Sequence, residues 1–171
     1  TPEGSDSNDG FSWNHAKRSV KAALDAILLT GGEVWVKKRT AQQSIAADDD
    51  TLVIPAFCYL SGGFAGGETE RSARDWESNE TVIDGNSQRT IVAMMCGYHV
   101  SAIDGFTLSN GVATFGSWYW PEGGGVYSMC AGPFISNNTF DSNYASGEGG
   151  GLFGVGCVGL AVSHNQFLSN S

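Results

Sequence analysis

The side chains best suited to chemistry in this chain are aromatic and acidic, and they fall into a few short stretches. Phe115, Trp118, Tyr119 and Trp120, closed by Pro121, bring four rings together. Trp and Tyr in an exposed loop offer platforms for sugar rings, whose C–H faces pack on π-systems, and anchors for protein partners. The competing reading is a loop that folds back and buries the rings along the outside of the fold. These four are the expected ligand-binding residues.

The acidic run Asp48-Asp49-Asp50 supplies the oxygen donors that calcium needs. A solvated loop before a strand explains it equally simply, because no second acidic cluster lies close by and calcium-binding nonapeptide repeats are absent. The expectation is therefore no cofactor, with calcium at these three residues as the alternative. Asp84, Asp104 and Asp141 sit near turns and are the catalytic candidates if the chain cleaves glycosidic bonds, a reaction that needs paired carboxylates. Glu68, Glu70, Arg71, Arg74 and Asp75 have the residue types to abstract a proton beside a uronate and neutralise its carboxylate. The simpler expectation is that Arg74-Asp75-Trp76 locks its loop in place through an ion pair and a buried indole.

Cys58, Cys96, Cys130 and Cys157 form no C-x-x-C pair, and His15, His99 and His164 are scattered, which argues against a zinc site. The cysteines are expected to be buried free thiols, and the histidines structural. There is no G-x-S-x-G, no phosphate-binding loop and no dinucleotide fingerprint.

Composition narrows the classes further. Charged residues make up 16% and glycine supplies 24 of 171 residues, against 41% apolar residues. A usual glycine share is roughly 7%, so glycine here punctuates many turns in a chain apolar enough to fold. The net charge of −9 argues against nucleic acid, which wants a basic face, and against an anionic membrane surface. No segment has the continuous apolar length of a membrane span. The polar opening, Thr1 to Gly10, would suit the start of a mature secreted chain, although an arbitrary boundary would look the same, and it predicts a flexible segment over 1–11.

The elements that must position these residues are few. Residues 12–29 predict one amphipathic helix, with Ser12 as N-cap and Ala16, Val20, Ala23, Leu24, Ile27 and Leu28 as its apolar stripe, stopped by Gly31-Gly32. Short β-prone runs follow, separated by Gly, Asn, Asp and Ser. The tail repeats itself. Phe134 to Asn143 returns as Ala161 to Asn170, with Ile135 opposite Val162 and Phe140 opposite Phe167, an offset of 27; Gly124-Gly125-Val126 returns as Gly150-Gly151-Leu152, an offset of 26. A strand-and-turn repeat of this length predicts a solenoid of stacked coils. Asn138 over Asn165 predicts an asparagine ladder, Phe140 over Phe167 an internal stack, and the cysteines one corner of successive coils. Two insertions, 64–80 and 112–122, are the expected loop-bearing flank.

The Gly-Gly-Gly-hydrophobic turn followed by Phe-x-x-Asn, as in Gly123 to Val126 with Phe140 to Asn143 and Gly149 to Leu152 with Phe167 to Asn170, resembles the repeats of polymorphic outer-membrane proteins. The stretch from Gly4 through Trp13 and the helix to Val34-Trp35-Val36 is similar to the opening of right-handed β-helices of the pectate-lyase-like superfamily. So are Gly62 to Thr69, Arg74-Asp75-Trp76 and Val82 to Gly85. The resemblance implies an all-β, right-handed parallel β-helix of about five coils over 1–171, with coils from 33 onward and the helix of 12–29 capping one end. Such folds include adhesins, glycan binders and polysaccharide-cleaving enzymes.

The expected function is a secreted or cell-surface module, non-catalytic, that displays loops for adhesion or glycan binding, its partner a glycan or a surface protein. The alternatives are a lyase or hydrolase on an acidic polysaccharide, or a structural segment that self-associates through its uncovered C-terminal end.

Overall fold

The computed structural model describes residues 1, 3–38, 45–46, 51–97, 99–115, 121–130 and 132–171. Among these residues there is one α-helix, α1 (Val20–Ala26), and sixteen short strands. Strands β1 (Gly32–Lys37), β4 (Cys58–Phe64), β7 (Ala102–Asp104), β11 (Phe134–Ser136) and β15 (Ala161–Ser163) form a first sheet. A second sheet holds β3 (Leu52–Ile54), β6 (Val92–Gly97), β10 (Val126–Cys130) and β14 (Leu152–Gly154). A third holds β2 (Ile45–Ala46), β5 (Val82–Asp84), β8 (Thr107–Ser109), β12 (Thr139–Asp141) and β16 (Gln166–Leu168), while β9 (Val112–Ala113) pairs with β13 (Tyr144–Ala145).

Every one of these pairings is parallel. The chain visits the first, third and second sheets in turn, so each segment hydrogen-bonds to the segment one circuit away. That is the arrangement of a parallel β-solenoid, and among the described residues no strand pairing is antiparallel. The register repeats the sequence alignment: Ile135 pairs with Val162, Phe140 with Phe167 and Val126 with Leu152.

The core is a set of columns. Val34, Leu60, Ile103 and Ile135 line up in the first sheet and Ile83, Leu108 and Phe140 in the third, all buried. Each such side chain contributes about 1.5–3 kcal/mol through burial. Phe140 and Phe167 stack at 4.7 Å and 3°. Corners between sheets are turned by left-handed residues: Gly105, Asn137 and His164 after the first sheet, Asn110, Ser142 and Ser169 after the third.

Behind each corner runs an asparagine ladder. Asn138 Oδ1 accepts from the Phe106 N–H, its Nδ2 donates to the Ile103 carbonyl, and Asn165 repeats the pattern on Asn138 and Ile135. A second ladder, not foreseen above, joins Gly111, Asn143 and Asn170 in the same way.

Several boundaries move. The helix is Val20–Ala26, preceded by a 3-10 turn at Trp13–His15, instead of running from 12 to 29. Ser12 caps only the short turn; Ser19 caps α1, and Asp6 Oδ1 accepts the N–H groups of Arg18 and Ser19, closing that end. Residues 3–10 are tied to 15–19 by backbone bonds such as Ser5 N–H to Ala16 and Gly10 N–H to His15. Leu28 and Leu29 are exposed, outside the apolar stripe. The helix packs Val20 and Leu24 against β1 and β3, the edge strands of two sheets. Phe64 belongs to β4 and the core, and Val112-Ala113 to β9, so both insertions begin later than the sequence suggested.

Candidate groove on the first sheet

Two columns of side chains point outward from the first sheet, on either side of the buried column Leu60-Ile103-Ile135. One is Tyr59, Ala102 and Phe134; the other is Ser61, Asp104 and Ser136. Alternation along each strand dictates this, because the middle residue of each triplet faces the core. The insertion after β4 then rises beside them, through a 3-10 turn at Arg71–Ala73, and encloses a groove of about 480 Å³. Arg71, Ser72, Arg74 and Trp76 form its wall.

Arg74 pins that wall. Its Nη1 donates to the carbonyls of Gly62 and Asp104, its Nη2 meets Asp104 Oδ2 at 2.7 Å, and its guanidinium lies 5.0 Å from the centre of the Trp76 ring. Asp104 Oδ1 accepts from Asn137 Nδ2 at 2.8 Å, so both carboxylate oxygens are engaged. Two glycines make the close approach feasible. A Cβ on Gly63 (φ +86) would meet the Trp76 backbone at 2.6 Å, and one on Gly105 (φ +80) would meet Arg74 Nη1 at 2.8 Å. At the groove's other side Arg71 lies over the Tyr59 ring at 5.4 Å and reaches Glu33 Oε1 at 3.4 Å.

The start of the insertion is held by Glu68, whose carboxylate accepts from the N–H groups of Ala65, Gly66 and Gly67. Desolvation pushes this carboxyl up, but the backbone donors together outweigh it and hold it below the ordinary range. The Glu68 carbonyl accepts from Trp13 Nε1, tying the loop to the N-terminal segment. Asp75 accepts from Ser78 and Glu77 N–H, which lowers its pKa, so it closes its own turn. The ion pair expected of Arg74 is thus made with Asp104 rather than with its neighbour, and Trp76 is partly exposed in the wall instead of buried.

Of the residues singled out from sequence, Arg71, Arg74, Trp76 and Asp104 line the groove. Asp84 and Asp141 end strands of the third sheet and serve turns there: Asp84 accepts from Asn86 N–H and Asn110 Nδ2, and Asp141 from the Ser142 hydroxyl. Asp84 and Asp141 occupy one register column of the third sheet on either side of Ser109, while Asp104 belongs to the first sheet. Phe115 is 82% exposed beyond β9. Trp118, Tyr119 and Trp120 lie outside the described residues, as do Asp48, Asp49 and Asp50. Among the described residues no group of three or more His, Cys, Asp or Glu is placed to hold a metal. Cys58 is a buried free thiol pushed up to about 12 by desolvation, and Cys157 is free and bonded to Ser128. No helix among the described residues is long and apolar enough to cross a membrane.

Tyr59, Ala102, Phe134 and Ser136 were missed as site residues. Their signal was present, since each flanks an isoleucine or leucine of the repeat.

In comparisons with known proteins, no family model, no curated protein and no solved structure matches this chain.

Proposed function

We propose that this chain is a secreted or cell-surface module that binds a glycan without cleaving it, in the groove on the first sheet. On this reading it is a right-handed parallel β-helix of the pectate-lyase-like superfamily, with about five coils, as the five strands of the first sheet suggest. The observation that carries the reading is the groove itself: three rings, Tyr59, Trp76 and Phe134, around a cavity whose wall is fixed by Arg74. Rings of this kind stack on the apolar faces of sugars, and a rigid wall spares the ordering entropy that binding would otherwise cost. Asp104 is the groove's one carboxylate among the described residues and is held by Arg74 and Asn137, which favours binding over acid–base chemistry. Phe115, Trp118, Tyr119 and Trp120 would extend the adhesive surface.

A glycan array tests the reading. Binding that is lost in Trp76→Ala and Tyr59→Ala supports the groove, and loss in Trp118→Ala and Trp120→Ala supports the loop. A protein that binds no glycan and no surface ligand sinks it.

A second reading, self-association, draws on the exposed apolar side chains Val162, Phe167 and Leu168, which are 43%, 50% and 47% exposed. Light scattering over a concentration series decides it, a constant monomer mass excluding it.

A further inference from the structure

We infer that the ligand of the first-sheet groove is a neutral glycan lying along the solenoid axis, and not an acidic polysaccharide. This rests on the glycan-binding reading above and adds the class and orientation of the ligand.

The orientation follows from the two outward columns. Tyr59, Ala102 and Phe134 are aligned across three neighbouring strands, an apolar row in which a small residue sits between two rings. At about 4.8 Å per strand the two ring-bearing positions are roughly 10 Å apart along the axis. Beside this row runs a polar one, Ser61, Asp104 and Ser136. A pyranose has apolar C–H faces and a rim of hydroxyls. Laid along the axis, it would set a face on the alanine notch while its rim meets the polar row and the wall.

The class follows from the charges. Among the described residues, both arginines of the groove are paired with a carboxylate, and Glu70, which accepts from the Ser72 hydroxyl at 3.5 Å, adds a further negative charge at its edge. Arg74 and Asp104 meet at 2.7 Å with side chains only 7% and 23% exposed, and Arg71 meets Glu33 at 3.4 Å. Arg74 already spends donors on Gly62 and Asp104 and its charge is matched by Asp104, so a uronate or sulfate placed there would set a second anion beside a largely buried carboxylate, which is costly. One approaching Arg71 would meet the carboxylate of Glu33. The chain's net charge of −9 adds long-range repulsion for a polyanion. A neutral sugar meets none of these penalties and uses the paired groups as hydrogen-bond donors and acceptors.

The test is titration of the full chain by protein-observed NMR and calorimetry with neutral hexasaccharides (cello-, xylo- and manno-oligosaccharides) and with two acidic ones (hexagalacturonate and a heparin hexasaccharide). Expected is binding of at least one neutral probe, insensitive to salt, and weakened roughly tenfold or more by Ala102→Leu, which fills the notch. Ala102 lies on the groove side of its strand but is only 7% exposed, so far-UV circular dichroism must first show Ala102→Leu to be folded; Phe134→Ala, at a 47% exposed position, provides an independent removal of one ring. Glu33→Gln, which leaves Arg71 unopposed, is expected to raise the affinity for hexagalacturonate at low salt. Preferential binding of an acidic probe by the unaltered chain, weakened by Tyr59→Ala, overturns the neutral assignment while leaving the groove reading intact. Neutral binding indifferent to Ala102→Leu and Phe134→Ala overturns the placement. Binding of neither class overturns both.

Discussion

Asn165 lends its side-chain oxygen to Asn138 twice, accepting from the Asn138 backbone N–H at 2.9 Å and from its Nδ2 at 3.1 Å. Asn138 in turn satisfies Phe106 and Ile103 in the preceding circuit. A polar side chain in the solenoid wall is therefore tolerated because every donor and acceptor it carries is used.

Removing that side chain should be expensive. Asn138 and Asn143 are each buried, and Ala at either position leaves the N–H and carbonyl groups of a neighbouring circuit without partners. A loss of about 2–4 kcal/mol is expected for each, read from the midpoint of urea unfolding. Asn165→Ala, near the exposed last coil, should cost less. Equal, negligible losses at all three positions would mean that the ladders carry no stability.

Arg74→Ala should release the groove wall. It strands the largely buried carboxylate of Asp104 and unstacks Trp76, a change of about 3 kcal/mol for a broken pair of this kind. Asp104→Asn in the same chain should recover part of the loss, measured as a double-mutant cycle. Limited proteolysis should cut between Gly66 and Glu77 in Arg74→Ala before any other site. No coupling in the cycle would contradict the pinning role.

Acid should loosen the same insertion from its other end. The Glu68 carboxyl titrates below its ordinary value of 4.5 in the folded chain. An acid whose pKa is depressed by folding contributes stability above its unfolded pKa, and that contribution fades as pH falls through the folded value. The loop should therefore be anchored at pH 7 and begin to release below about pH 4.5, followed by the fluorescence of Trp13, which donates to the Glu68 carbonyl. In Glu68→Gln the acid step in Trp13 emission should vanish.

Thiol reactivity should separate two of the cysteines. Cys58 is fully buried, with its thiol raised to about 12, so it should resist alkylation at pH 8 in the folded chain. Cys157 is partly exposed and should be modified first. Mass mapping after brief iodoacetamide treatment checks the order, and early labelling of Cys58 would contradict its burial.

Turnover is the sharpest test of the non-catalytic reading. Incubation with uronate polymers and neutral glucans, with and without a chelator, should give neither unsaturated product nor new reducing ends. Any product abolished by Asp104→Asn would instead make the groove an active site.

The periodicity of the residues by themselves determined the stacking. The offsets that place Phe140 opposite Phe167 and Ile135 opposite Val162 are read directly from the chain, because a solenoid pairs each segment with its own repeat. The Asn138–Asn165 ladder followed from the same alignment, and the ladder at Asn143 and Asn170 was equally legible in the shared Phe-x-x-Asn. What the alignment could not place was everything that departs from the repeat. The helix shrank to Val20–Ala26 because Asp6, far away in sequence, took the N–H groups of Arg18 and Ser19. Arg74 chose Asp104 over Asp75 because the chain folds its insertion back over the first sheet, a path that no local pattern encodes. Repeats bury themselves by translation, so their contacts are written in the spacing; an insertion finds its partners only after the solenoid has wound, and only the tertiary structure decides which face becomes a groove.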